Sequence, residues 1–181
     1  MPLIYITGPS GAGKSSLTEL LIKEGFEAHD ADIDICKWYN RDSGKLAEYP
    51  KDPNLRPPGW QESHQFLMSE DLIKTIKSRS DNKTIFILGQ SPNDIEMADK
   101  YFDKVLCLTI DESTMLKRLK KRTNNIYGKS PDQLEIIKKW YQPTIDRYRN
   151  YGATMIDASR PIESVRDAII DNSELNPTAL H

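Results

Sequence analysis

The sequence predicts an α/β domain in three layers, with a five-stranded parallel sheet covered by helices on both faces. Three observations lead there. Five short apolar runs alternate with segments of helical periodicity. A glycine-rich run, Gly8-Pro9-Ser10-Gly11-Ala12-Gly13-Lys14-Ser15, falls between the first strand pattern and the first helix pattern. Finally, 181 residues with 38% hydrophobic and 29% charged side chains suit one soluble domain with a substantial core.

Leu3–Thr7 reads as a buried strand. Lys14–Glu24 reads as a helix with Leu17, Leu20 and Leu21 on one face, stopped by Gly25. Phe26–His29 is a second short strand running into Asp30, Asp32 and Asp34, and a helix is expected over Ile33–Tyr39. Residues 40–61 hold Pro50, Pro53, Pro57 and Pro58 among polar residues and read as a long loop or insertion, a place where function often sits. Glu62–Ser78 has helical spacing at Phe66, Ser69, Ile73 and Ile76. Thr84–Leu88 is a buried strand ending at Gly89, Pro92–Lys100 a short helix and Lys104–Ile110 a strand. Asp111 caps a helix running through Lys121 with Met115, Leu116 and Leu119 inward. A polar loop, Arg122–Ser130, precedes a long helix over Pro131–Asn150, which Pro143 is expected to kink or break. Ala153–Ile156 is the last strand and Pro161–Ile170 the last helix. Residues 1–171 are expected to form a single domain, with 172–181 a polar tail that frays.

The chain carries 25 Lys plus Arg against 27 Asp plus Glu, which argues against a whole-protein grip on nucleic acid. No apolar run is long enough to cross a membrane, and the first residues lack the basic start and cleavage site of a leader, so a cytoplasmic protein is expected. Cys36 and Cys107 form neither a metal-ligand spacing nor a disulfide framework, and His29, His64 and His181 show no ligand spacing.

The glycine-rich run fits G-x-x-x-x-G-K-[ST], with a strand before it and a helix after it. Glycines let the backbone turn tightly enough for successive N–H groups to face an anion, and the helix adds its positive end. Gly8, Ser10, Gly11, Ala12, Gly13, Lys14, Ser15 and Ser16 are therefore the expected nucleotide-binding residues. Lys14 should reach the β- and γ-phosphates of ATP, and the Ser15 hydroxyl should ligate Mg²⁺. The third strand ends in Gly89-Gln90 rather than in a Walker B aspartate, and no Asn-Lys-x-Asp run for guanine is present. The chain looks too short for an AAA-type or transporter ATPase module.

The cradle, Asp30-Ala31-Asp32 after the second strand, Gly89 after the third, and a basic helix and loop before the long helix together resemble the shikimate kinase and nucleoside monophosphate kinase group. Asp-Ala-Asp also resembles that of dephospho-coenzyme A kinase. The resemblance spans roughly Leu3–Ile170, and only the cradle is highly specific. It implies a P-loop NTPase fold with the cradle strand central, a lid over residues 122–130 and an acceptor-side insertion over 40–61.

Site roles follow from the same resemblance. Asp30 would hold Mg²⁺ through water, while Asp32 would bind the acceptor hydroxyl, either as the base that takes its proton or only as an anchor. The alternative is an acidic turn or helix cap, and Asp34 reads as a helix-start carboxylate. Arg118 and Arg122, four apart on one helix face, would stabilise charge on the transferred phosphoryl; a solvated basic face, the reading for Lys117 and Lys120, weighs equally. Gly89 and Gln90 would lie beside the acceptor, and the change from the group's glycine-rich turn argues against shikimate itself. Thr144 stands about where the group has an acceptor-binding arginine, with Arg147 or Arg149 as substitutes. Arg56 and Trp60 fall in the acceptor region, although for Trp60 seating the insertion on the core is the slightly favoured reading. Arg160 would stack on adenine, the plain alternative being an ordinary turn with Ser159 as helix cap.

The leading expectation is ATP- and Mg²⁺-dependent phosphorylation of a small-molecule acceptor, with a nucleoside or nucleotide favoured on account of Trp60 and the wide insertion. Sugar-like or carboxylated alcohols of the shikimate or gluconate type are the alternative. A non-catalytic ATP-binding switch and a kinase of nucleic-acid ends are the others, the last opposed by the net charge of −2. The oligomeric state is open.

Overall fold

The computed structural model describes residues 1–50, 52, 56–121 and 130–173. In chain order its elements are β1 (Leu3–Thr7), α1 (Lys14–Lys23), β2 (Glu27–Asp30), a π-helical turn (Ala31–Ile35), β3 (Cys36–Asn40), β4 (Leu46–Ala47), α2 (Trp60–Ser63) and β5 (His64–Met68). There follow α3 (Glu70–Lys77), β6 (Ile85–Leu88), α4 (Asp94–Tyr101), β7 (Lys104–Thr109), α5 (Glu112–Lys121), α6 (Pro131–Tyr151), β8 (Thr154–Asp157) and α7 (Ile162–Ser173).

The main sheet has five strands in the order β2-β6-β1-β7-β8. Every pair is parallel, with Tyr5 of β1 opposite Ile87 on one side and Val105 on the other. β1 is central because all five of its residues tolerate burial on both faces. Strand alternation divides the core. Ile4 and Ile6 face Leu17 and Leu21 of α1, Met115 and Leu119 of α5, and Val165 and Ile169 of α7. Leu3 and Tyr5 face Ile73 and Ile76 of α3, Met97 and Ala98 of α4, and Tyr148 of α6. Each fully buried aliphatic side chain in these layers contributes roughly 1.5–3 kcal/mol. The chain reverses its progression across the sheet at β1, so a crevice opens at the carboxyl end of that strand, the usual ligand position in open α/β sheets.

The structure departs from expectation chiefly between residues 31 and 69. The helix expected over Ile33–Tyr39 is instead the π-helical turn followed by β3. The helix expected over Glu62–Ser78 is divided into α2, β5 and α3. The cause is non-local: Cys36–Asn40 pairs antiparallel with His64–Met68, bringing Trp38 opposite Phe66, and β4 adds a third strand. Part of the supposed loop over 40–61 is therefore sheet and helix.

Pro143 does not end α6, which runs unbroken to Tyr151. Pro143 and Lys139, whose carbonyl loses its helical partner, are both exposed, so water can serve that carbonyl. Most of the expected lid, residues 122–129, and the tail beyond 173 lie outside the described residues. Among the described residues no helix is long and apolar enough to cross a membrane.

Candidate active site

The glycine-rich run forms a turn from β1 into α1. Gly8 has φ +142°, and a Cβ there would sit 2.5 Å from the Leu108 carbonyl oxygen, so only glycine lets the loop leave the sheet at this point. Gly13, at φ 100°, caps α1 without a side-chain hydrogen bond. The first helical N–H groups, from Lys14 on, have no intrahelical acceptor by helix geometry and are available to an anion. The Lys14 ammonium donates to the carbonyls of Gly8 (2.6 Å) and Pro9 (3.2 Å), which places it across the mouth of the turn.

Asp30 ends β2 beside this mouth. Its Oδ2 accepts from the Ser15 hydroxyl at 3.1 Å, and its Oδ1 from the backbone N–H of Asp32 at 3.0 Å. The Asp34 carboxylate in turn accepts from the Asp30 N–H at 3.2 Å. The two expected carboxylates thus share one turn at the cradle's edge. Water reaches Asp32, but protein hems in its carboxyl. That burial, with the Asp30 carboxylate nearby, pushes its pKa up, and the Lys14 charge offsets part of the rise. Ala31, between them, is fully buried against Gly89, where an added Cβ would stand 2.3 Å from the Ala31 Cβ. Gly89 therefore locks the Asp30–Asp32 turn to the loop after β6, its lack of a side chain making room for the Ala31 methyl.

That loop forms part of a groove of about 210 Å³ lined by Pro9, Ser10, Gln90, Ile136, Ile137, Trp140, Tyr141 and Thr144. Gln90 is exposed, and its Nε2 lies 3.4 Å from the Thr144 hydroxyl. Beneath the loop, Asp94 is completely buried. Its Oδ2 accepts from the Ser91 N–H at 3.1 Å and from the Tyr148 hydroxyl, and its Oδ1 from Arg147 at 2.8 Å. The Tyr5 hydroxyl lies 3.1 Å from Asp94 Oδ2 and 3.0 Å from the Gly89 carbonyl. Burial first, and then the Tyr148 phenol and the Asp94 carboxylate, hold the Tyr5 phenol well above its usual pKa. Burial and Asp94 raise Tyr148 as well, so both remain donors. Arg147 is thereby committed to Asp94, and Arg149 pairs with Asp146 at 2.6 Å.

On the other side of the cradle, a cavity of about 160 Å³ is lined by Ala12, Gly13 and Ser16, by apolar Leu108, Ile162 and Val165, and by Arg118 and Arg160. The Arg118 guanidinium donates to the carbonyls of Ala158 (2.8 Å) and Ala12 (3.4 Å). Arg118 thus sits against the cradle at Ala12, in a cavity whose lining includes neither Asp30 nor Asp32. The setting of α5 explains this: Met115 and Leu119 are buried near Gly11, which turns residue 118 toward Ala12 and β8. Arg122 lies outside the described residues. Ser159 does not cap α7; its N–H and hydroxyl both donate to Asp157.

Trp60 and Arg56, expected in the acceptor region, are found packed within the insertion. Trp60 is 8% exposed, edge-on to Trp38 and Tyr49 and stacked on His64 at 4.1 Å. The Arg56 guanidinium lies over the Tyr49 ring at 4.5 Å and donates to the Pro50 carbonyl. Both hold the insertion onto the small sheet, because aromatic faces brought together by β3 and β5 bury more surface than a solvent-facing site would allow. The sheet is sewn to the loop after β6: the Met68 N–H donates to Ser91 Oγ (3.2 Å) and Asn93 Oδ1 (3.0 Å), and Asn93 donates back to the Met68 carbonyl. Sequence reading missed Asp94, Ile136 and Trp140. Asp94 looks like an ordinary helix-start acid, whereas the four-residue spacing of Ile136 and Trp140 outside the stripe of Leu134, Ile137 and Tyr141 did signal a second apolar face on α6.

Comparison with solved structures supports the same fold. A shikimate kinase from Acinetobacter baumannii, solved in complex with shikimate, superimposes with TM-score 0.57 at 17% identity over 97% of this chain and 96% of its own. A shikimate kinase from Bacteroides thetaiotaomicron gives 0.55 at 17% identity, covering 96% and 99%. A gluconokinase from Sinorhizobium meliloti 1021 gives 0.52 at 15%, covering 95% and 91%. No curated protein matches in sequence. A family model described as AAA domain matches residues 4–138, so the length that seemed too short for an AAA-type module accommodates this one. With that match spanning most of the sheet and the whole cradle, the chain belongs to the AAA domain family.

Proposed function

We propose that the protein is an ATP- and Mg²⁺-dependent kinase that transfers the γ-phosphoryl group to a hydroxyl of a small metabolite, a nucleoside or nucleotide being favoured. The observation that carries the reading is the Ser15–Asp30 contact of 3.1 Å, with Asp32 on the same turn and Lys14 across the mouth. Ser15 and Asp30 are hard oxygen donors, and Mg²⁺ typically takes one or two such protein ligands beside water and phosphate, so the pair fits the metal. Bound Mg²⁺ supplies neutralisation of charge on the phosphate oxygens. Lys14 adds a fixed cation to the same end. The cavity of Arg118 and Arg160, apolar beneath and cationic above, suits the nucleobase of ATP.

In the transfer, the acceptor oxygen bonds to the γ-phosphorus while the bond from that phosphorus to the β–γ bridging oxygen breaks. ADP leaves, and the hydroxyl proton passes to the Asp32 carboxylate, whose raised pKa makes it a better proton acceptor than an ordinary aspartate.

The test is ADP release from Mg·ATP with and without pooled nucleosides, nucleoside monophosphates, shikimate, gluconate and dephospho-coenzyme A. One pool should raise the rate at least tenfold, and Lys14→Ala should abolish the gain. ATP binding with no pool-dependent rate would overturn the reading in favour of a nucleotide switch.

A further inference from the structure

We infer that the groove beside the cradle binds an uncharged, flat-ringed alcohol, a nucleoside rather than a carboxylated or phosphorylated acceptor, with its ring lying on Trp140. This rests on the kinase reading and names its acceptor.

The groove lies at the reacting end of the site. Pro9 and Ser10 form one wall, and the Lys14 ammonium is bound to the Pro9 carbonyl itself. A ligand in the groove is therefore next to the place where the γ-phosphoryl group would sit.

The opposite wall is apolar and uncovered. Trp140 is 59% exposed and Ile136 48%, although both are large hydrophobic side chains. Four residues apart on α6, they are neighbours on one helix face. The other exposed large hydrophobics among the described residues, Met1, Ile22, Ile33 and Leu46, do not line this groove. An indole beside an aliphatic side chain offers a flat apolar surface, which a planar ring covers better than a puckered, fully hydroxylated one.

Among the described residues the charge pattern argues against acidic acceptors. No described residue lining the groove is charged. The two arginines of α6 that might have met a carboxylate are engaged elsewhere, Arg147 with buried Asp94 and Arg149 with Asp146. Arg56 is laid over Tyr49. A carboxylate or phosphate entering here would lose water without gaining a cation from these residues. Gln90, Thr144 and Ser10 instead present neutral donors and acceptors, suited to ring heteroatoms and sugar hydroxyls.

The experiment uses the full chain with thymidine and deoxyguanosine as probes, and shikimate, gluconate and thymidine monophosphate as charged controls. Either nucleoside should raise ADP release from Mg·ATP at least tenfold, and the controls less than twofold. Trp140→Ala should raise the nucleoside KM about tenfold with the KM for ATP unchanged, and Trp140→Phe should restore most of the affinity. Binding is read separately, without catalysis, from the emission of exposed Trp140: thymidine should change it, and the change should vanish in Trp140→Phe. Preference for a charged control, a Trp140→Ala KM within twofold of the parent, or absence of the emission change would each overturn the inference. Absence of ADP release with every acceptor, alongside the Trp140 emission change, would overturn the kinase reading while leaving nucleoside binding in place.

Discussion

Replacing Asp94 by Asn tests whether the buried carboxylate holds the acceptor side of the site together. The carboxylate is fully buried and meets only donors: the Ser91 N–H and the Tyr148 and Tyr5 hydroxyls on Oδ2, Arg147 on Oδ1. Asn has one acceptor oxygen. If that oxygen keeps the three partners of Oδ2, the amide nitrogen faces Arg147, donor against donor. A hydrogen bond to a charged group contributes about 1.5–3 kcal/mol against about 1 for a neutral one. The Arg147 side chain is 40% exposed, so water recovers part of that loss. Relief of carboxylate burial offsets some of the remainder. The net cost should be about 2 kcal/mol, or a fall in Tm of roughly 4–8 °C for a domain of this size. Arg147→Gln should cost at least as much, because it strands the carboxylate without its cation. Thermal unfolding of both singles and the double variant gives the coupling, and the double should cost less than the sum. A Tm for Asp94→Asn within 1 °C of the parent, or strictly additive singles, would refute the account of Asp94 as a charged hub.

Two further substitutions bear on the Asp30–Asp32 turn. Gly89→Ala places a Cβ 2.3 Å from that of Ala31, so the Asp30–Asp32 turn must shift; kcat should fall at least tenfold while the KM for ATP changes little, and unchanged kcat would show that the contact positions nothing. Asp32→Asn should lower kcat by about 10²–10⁴-fold and remove the acidic limb of the pH–rate profile. In the parent that limb should lie above the ordinary aspartate range, activity rising as the raised pKa is passed. The same raised pKa means that ionising Asp32 destabilises the folded state as pH climbs above the unfolded value, a cost complete above the folded value. The Asn variant should therefore have the higher Tm at neutral pH and no advantage in acid; a lower Tm at neutral pH would contradict the shift.

The main sheet was legible because each strand carries its own signal. Leu3–Thr7 and Ile85–Leu88 are apolar throughout, and the cradle is defined by eight consecutive residues. The small sheet was not, because Cys-Lys-Trp-Tyr-Asn becomes a strand only through pairing with a segment nearly thirty residues later. Asp30 and Asp32 were legible from their place at a strand end. The positions of Arg118 and Trp60 depend on the rotation of α5 and on the packing of distant aromatics, and neither is written locally. Asp94 begins an ordinary helix, and only the convergence of β1, α6 and the loop after β6 turns it into a hub.

The Gly89–Ala31 contact has a consequence for how this protein can change. One wall of the cleft is fixed by the Ala31 methyl pressed on the Gly89 main chain, so a substitution at Gly89 should disturb the Asp30–Asp32 turn and the loop after β6 together. The facing wall is made of side chains on a continuous helix, at positions 136, 140 and 144. Ile136 and Trp140 are exposed, so these two can be exchanged without repacking the core. New acceptor preferences, by natural drift or by directed selection, should accumulate on α6, while Ala31 and Gly89 stay as they are.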